Sequence, residues 1–135
     1  WWRHRVQVVA IDPSAAFRSA LYPLLPKGNV SVDHFHLIKL ANDMVTAVRR
    51  RCAWQTWNRR GRAVDPAWAH RLLLLRGADT LSDRGWARLK AVLAADDPTN
   101  EIGAAWGIKE QLRMLLRCTT VAEARAARAV LAESV

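Results

Sequence analysis

Val6-Gln-Val-Val-Ala-Ile-Asp12, followed after seventeen residues by Val30-Ser-Val-Asp33-His-Phe-His36, decides the fold. Val6, Val8, Val9 and Ile11 form a near-continuous apolar run, the pattern of a strand covered on both faces. Pro13 to Leu24 carry a helical pattern. Pro13 suits the first turn, where its missing N–H costs nothing, and Asp12 is the expected N-cap. Phe17, Leu21 and Leu24 or Leu25 share one face, and Pro23 is expected to end or kink the helix near Tyr22. Pro26-Lys-Gly-Asn29 turns the chain into a second strand at about Asn29–Val32. The order is strand, acid, helix, strand, acid with histidine. Two parallel strands joined by a crossover place both acids at one sheet edge, where open α/β sheets put their chemistry.

Beyond His36 the texture is helical. Leu37, Leu40, Met44, Val45 and Val48 predict a long amphipathic helix from about His34 to Trp57. Asp65-Pro66 opens a second helix, by the same cap-then-proline chemistry, ending near Gly77. Ser82 caps a third, with Trp86, Leu89, Val92 and Leu93 inside and Asp96-Asp-Pro98 as its stop. A fourth spans about Thr99 to Arg117, offering Ile102, Trp106, Ile108, Leu112 and Leu115 for burial. A fifth begins near Thr119 or Thr120. Two strands fall short of the three or more that a stable sheet needs, and no other segment reads as a strand. The sheet is therefore expected to be completed by residues outside this sequence. A start at Trp1 rather than methionine predicts a fragment in the same way.

The 135 residues suit one domain, or one core with a helical addition, and 51% are hydrophobic. No apolar run approaches the ~20 residues of a membrane span, and no signal-peptide pattern opens the chain. Cys52 and Cys118 lack CxxC spacing, which predicts a reduced, intracellular setting. The net charge of +9, carried mostly by arginine, points to nucleic acid or another anionic surface. It equally fits the arginine bias of a GC-rich coding sequence.

Three constellations could carry chemistry. Asp12 reads as an N-cap and as a divalent-metal ligand; both roles fit together, because a cap leaves one carboxylate oxygen free. Asp33-x-x-His36 reads as an acid–imidazole pair able to orient a phosphate or a water, and equally as a cap with a histidine in the first turn. Arg49, Arg50, Arg51, Arg59, Arg60 and Arg62 hold six positive charges in fourteen residues without an acid, around Trp54 and Trp57. Arginine for phosphates and rings for stacking suit DNA; a solvated helix face over core tryptophans fits as well. Trp68, Trp86 and Trp106 occupy apolar helical positions and are expected in the core.

Val8-Val-Ala-Ile-Asp12 and Val32-Asp-His-Phe-His36-Leu-Ile-Lys-Leu-Ala41 resemble the DDE transposases of the bacterial ISL-three insertion-sequence family. Arg60-Gly-Arg62, Asp65-Pro66, Leu93-Ala-Ala-Asp-Asp97 and Lys109-Glu-Gln-Leu-Arg113 look like its actinobacterial members. The resemblance covers nearly the whole chain, and Asp-x-Phe-His is its most specific part. It implies part of a ribonuclease-H-like core, a short parallel βαβ unit over residues 1–36, then a helical insertion domain over 37–135. It implies DNA cutting and joining at element ends by three acids and two magnesium or manganese ions. Asp12 matches the family's second acid and metal ligand, and Asp33 with His36 its Asp-x-x-His signature. The implied partner is double-stranded DNA, in the bacterial cytoplasm at the nucleoid, with a homo-oligomer expected for the complete enzyme. The family's first Asp would precede Trp1, and its final Glu sits in an Asn-Gly-x-x-Glu-like segment that does not occur here. Glu101, Glu110, Glu123 and Glu133 lie in helical patterns instead. The chain alone is thus expected to be inactive. Two rivals are a non-enzymatic basic helical module that binds DNA or a partner, and a receiver-like phosphate-binding α/β protein. The lone Asp12 and the missing strands count against the second.

Overall fold

Val8–Ile11 forms β1 and Asn29–Val32 forms β2, paired in parallel with Val8 opposite Asn29 and Ile11 opposite Val32. This computed structural model describes residues 2–25 and 28–134; Pro26 and Lys27 of the expected turn lie outside the described residues. Between the strands runs α1, Ala15–Leu24. The chain divides into two compact units at Leu40/Ala41, and among the described residues five further α-helices and a short 3-10 turn, Ala78–Thr80, follow the long α2, His34–Trp57. The architecture is a small parallel βαβ unit followed by helices.

Three expectations fail in the first unit. The strands are not covered on both faces: Val8 is 59% and Val30 40% exposed, and no described residue before Ala41 is buried. One helix on two strands has too little surface to enclose them. The N-cap of α1 is Ser14, not Asp12. The Ser14 N–H donates to the Asp12 carbonyl at 2.6 Å, so Pro13 centres a three-residue turn that keeps Asp12 outside the helix. Pro23 lies inside α1, which closes one residue beyond it. At that position its missing N–H removes only a bond near the helix end.

The core belongs to the second unit. The buried stripe of α2 is Ala41, Val45, Arg49 and Cys52, while Leu40, expected inside, is 52% exposed. Val45 and Cys52 pack with Ala67, Leu74, Leu89, Val92, Ile102 and Ala105. The helix expected from Asp65 to Gly77 is two pieces, α3 (Pro66–Ala69) and α4 (Arg71–Leu75), broken at His70. The Arg71 guanidinium takes the Trp68 carbonyl at 3.0 Å, the acceptor that a continuous helix would offer to Leu72. Asp65 stands at the N-cap position without capping. Its carboxylate accepts from the Arg62 N–H at 2.6 Å and from the Arg59 guanidinium, and Asp96 instead accepts from the Ala67 N–H at 2.7 Å.

Ser82 caps α5 (Asp83–Asp96) as its sequence predicts, accepting from the Gly85 N–H at 3.2 Å. Leu89 and Val92 are buried on it, and Trp86 meets Trp106 edge to face at 5.5 Å. α6 spans Glu101–Arg117, starting two residues later than expected because Asp97 accepts from the Ile102 and Gly103 N–H groups at 3.0 and 2.7 Å. Thr120 and Glu123 form a capping box on α7, Val121–Glu133.

Three carboxylates contribute acid sensitivity to this unit. Hydrogen bonding from Arg59 holds Asp65 below its ordinary pKa, Arg117 and then Arg113 do so for Asp79, and the Thr119 and Thr120 N–H groups do so for Glu123. A depressed carboxylate pKa stabilises the fold fully above the unfolded value, about 4, and this is lost as pH falls through the lower folded value. The melting temperature should therefore hold from pH 7 to about 5 and drop below about 4. In thermal scans the pair Asp65→Asn and Asp79→Asn should lie lower at pH 7 and fall less steeply in acid.

Candidate active site

The pairing of β1 with β2 runs past the strands at both ends. The Asn29 N–H donates to the Gln7 carbonyl at 2.9 Å and the Asp33 N–H to the Ile11 carbonyl at 3.3 Å. Each acid follows the last residue of its strand, and those last residues, Ile11 and Val32, are partners. Asp12 and Asp33 therefore emerge side by side at the carboxyl edge of the sheet.

Asp33 starts α2. Its Oδ1 accepts from the Phe35 N–H at 3.1 Å, and its carbonyl accepts from the His36 and Leu37 N–H groups at 3.1 and 3.3 Å. This cap places His36 in the first turn, and its ring reaches back between the acids. Nε2 lies 3.1 Å from Asp12 Oδ1, and Nδ1 lies 3.5 Å from Asp33 Oδ2 without hydrogen-bond alignment. Phe35 packs edge to face on the ring at 5.6 Å. The structure thus brings Asp12, Asp33 and His36 together, and for Asp33 the cap and the acid–imidazole pair coexist.

The Asp12 side chain is 56% exposed, and its Oδ2 makes no hydrogen bond among the described residues. Two open hollows meet at this carboxylate. One, of about 410 Å³, runs past Pro13, Ser14 and Arg18; the other, of about 390 Å³, lies between Phe17 and Asp33. Magnesium takes one or two carboxylates and fills its octahedron with water and phosphate oxygens. Asp12 fits that demand as a single exposed donor. Asp33 and His36 are turned towards the pairing instead, and among the described residues no group of three or more His, Cys, Asp or Glu is arranged to hold a metal. Sequence reasoning passed over Arg18, which enters this rim because its N–H closes the first turn of α1 on the Ser14 carbonyl at 3.1 Å. Its spacing from Asp12, across a proline turn and one helical turn, was the available signal.

The six arginines of the basic segment separate. Arg49 lies on the buried stripe of α2, 5% exposed, unlike Arg50 and Arg51 beside it. Arg51 pairs with Glu101 and Arg59 with Asp65. Arg50, Arg60 and Arg62 are exposed, with side chains in no ion pair among the described residues. Trp54 and Trp57 are half exposed, and Arg59 lies 5.8 Å from the Trp57 ring centre. Arg71, outside the segment, faces the same side as Arg50 and Arg60, lining one cleft with them. Among the described residues no helix is long and apolar enough to cross a membrane.

No curated protein and no solved structure matches the chain. The model of one protein family, described as Transposase and bearing the DDE and ISL3 labels, matches residues 1–135.

Proposed function

Because the chain belongs to the ISL-three family of transposases, we propose that it is a section of a DDE enzyme that cuts and joins DNA at insertion-sequence ends. The observation that carries this reading is the meeting of Asp12, Asp33 and His36 at the carboxyl edge of a parallel strand pair. In this reading the βαβ unit is part of a ribonuclease-H-like core and the helices from α2 onward are its insertion domain. The partner is double-stranded DNA.

Asp12 is the acid that holds a divalent ion, through the oxygen that His36 leaves free. Bound magnesium supplies activation of the attacking oxygen and stabilisation of the leaving one. His36 is a positioning residue: its Nε2 holds Asp12 Oδ1 and so aims the second oxygen at the open rim. Asp33 anchors that imidazole and the start of α2 at once. Arg18 lies within reach of a phosphate seated in the hollow beside Asp12. With one metal-binding carboxylate and two strands among the described residues, the section needs further acids and strands from elsewhere in the enzyme, so residues 1–135 alone do not cleave DNA.

Manganese tests the site without relying on turnover. Titrated into the isotope-labelled chain, Mn²⁺ should broaden the amide signals around Asp12 and Asp33 first, with weak, millimolar binding. Asp12→Asn should abolish this while leaving the spectrum folded. Broadening that begins elsewhere would remove the metal role from Asp12. Magnesium-dependent nicking by the purified chain that vanishes in Asp12→Ala would overturn the claim that it is inactive alone.

A further inference from the structure

Arg49, Arg50, Arg60 and Arg71 converge on one open cleft of about 360 Å³ in the helical unit, with Thr46 and Trp68 beside them. Among the described residues no carboxylate lines it. Arg49 is 5% exposed, and its buried Nη1 has no hydrogen-bond partner among the described residues. Arg71 is pinned: its Nη1 donates to the Trp68 carbonyl at 3.0 Å and its guanidinium stacks 4.2 Å from the Trp68 ring centre. Arg50 and Arg60 are exposed and in no ion pair among the described residues.

A buried cation is ordinarily paired, since an unpaired charge away from water is costly. Arg49 has the opposite environment. Burial lowers its pKa, and the neighbouring cations Arg50 and Arg71 lower it further. The half-buried Arg59 of the same segment, by contrast, is neutralised within the chain by Asp65. Around this cleft the chain concentrates positive charge, fixes one guanidinium by stacking and leaves a buried donor open. A tetrahedral oxyanion accepts from several guanidinium forks at once and supplies the missing charge.

We infer that this cleft is a discrete seat for one backbone phosphate of DNA, with Arg49 as its buried donor and Arg50, Arg60 and Arg71 closing around the anion. The inference rests on the DNA-binding reading above and adds where in the helical unit one strand is gripped.

The salt dependence of duplex DNA binding tests it on the whole chain. Each neutralised phosphate contributes a slope of about −0.9 to log K against log salt. Arg60→Gln and Arg71→Gln, singly and together, should each weaken binding about tenfold and flatten the slope by the same single phosphate, about one. The control pair Arg84→Gln and Arg88→Gln on α5 removes equal charge outside the cleft and should change affinity by less than about threefold. Arg49→Met, if its circular dichroism stays native, should match the single cleft variants; if it unfolds, the Arg60 and Arg71 pair decides alone. A double variant that flattens the slope by about two, or that matches the control pair, overturns the single seat while leaving DNA binding in place. A chain that binds no duplex at low salt overturns the DNA-binding reading and the seat with it.

Discussion

Asp12→Asn should lower magnesium-dependent strand cleavage at least about 1000-fold in a transposase that carries this section, with DNA affinity changed by less than about threefold. The substitution keeps the size of the side chain and an oxygen for His36 to face, but removes the charge. A carboxylate that holds a catalytic ion stabilises charge developing at the reacting phosphate, a contribution of several kcal/mol. A 1000-fold loss corresponds to about 4 kcal/mol in the barrier. His36→Ala should cost less, about 100-fold, because it loosens the aim of Asp12 without removing a ligand. The comparison is informative because the two side chains touch, with Nε2 3.1 Å from Oδ1. Cleavage by Asp12→Asn within tenfold of the parent would show that Asp12 is no metal ligand. Equal losses in both variants would assign the chemistry to the imidazole instead.

Lys109→Met should destabilise the helical unit by about 3–5 kcal/mol, read as a lowered midpoint in urea with an unchanged slope. Lys109 is fully buried. Its Nζ donates to the Leu74 carbonyl at 2.8 Å and to the Arg76 carbonyl at 2.6 Å, closing the C-terminal end of α4. It also lies 2.9 Å from Glu110 Oε1, an ion pair without hydrogen-bond alignment, and 5.2 Å from the Trp106 ring centre. Burial pushes the pKa of Lys109 down, and Glu110 opposes that shift. Methionine fills the same space but orphans two carbonyls, at about 1–3 kcal/mol each, and leaves Glu110 Oε1 with only the Arg113 guanidinium, 3.6 Å away, as its cation. Glu110 is itself committed, since its Oε2 accepts from the Ala78 N–H at 2.9 Å. A domain of this size holds only about 5–15 kcal/mol in all, so the variant should be near its limit at 37 °C. A loss below about 1 kcal/mol would mean that water replaces the ammonium at the end of α4.

Much of this was legible before any coordinate. The long α2, the Ser82 cap and the start of α7 near Thr120 rest on interactions within four residues, and such contacts are written in the local order of side chains. The meeting of Asp12 with Asp33 was legible for a related reason. A short parallel crossover admits few registers, and any register that pairs Ile11 with Val32 sets the following acids side by side.

Other features depend on partners that no local pattern names. Asp65 has the sequence of a cap, yet Arg59 and the Arg62 N–H claim its carboxylate, and Asp96, far along the chain, serves the Ala67 N–H. Arg49 looks like its neighbours Arg50 and Arg51. Packing against Ala67, Leu74 and Ile102 selects the Ala41–Val45–Arg49–Cys52 stripe, and a rotation of one residue along α2 would have buried Leu40 instead.

The amino-acid order by itself determined the strand–acid–helix–strand–acid arrangement and most helix ends, because these follow from backbone geometry and from bonds between near neighbours. Only the tertiary structure decided which charges are interior. Lys109 and Arg49 are drawn inside because their hydrocarbon stems fill the core; the Lys109 ammonium then answers to carbonyls that the packing of α4 sets before it, while Arg49 Nη1 meets no acceptor among the described residues.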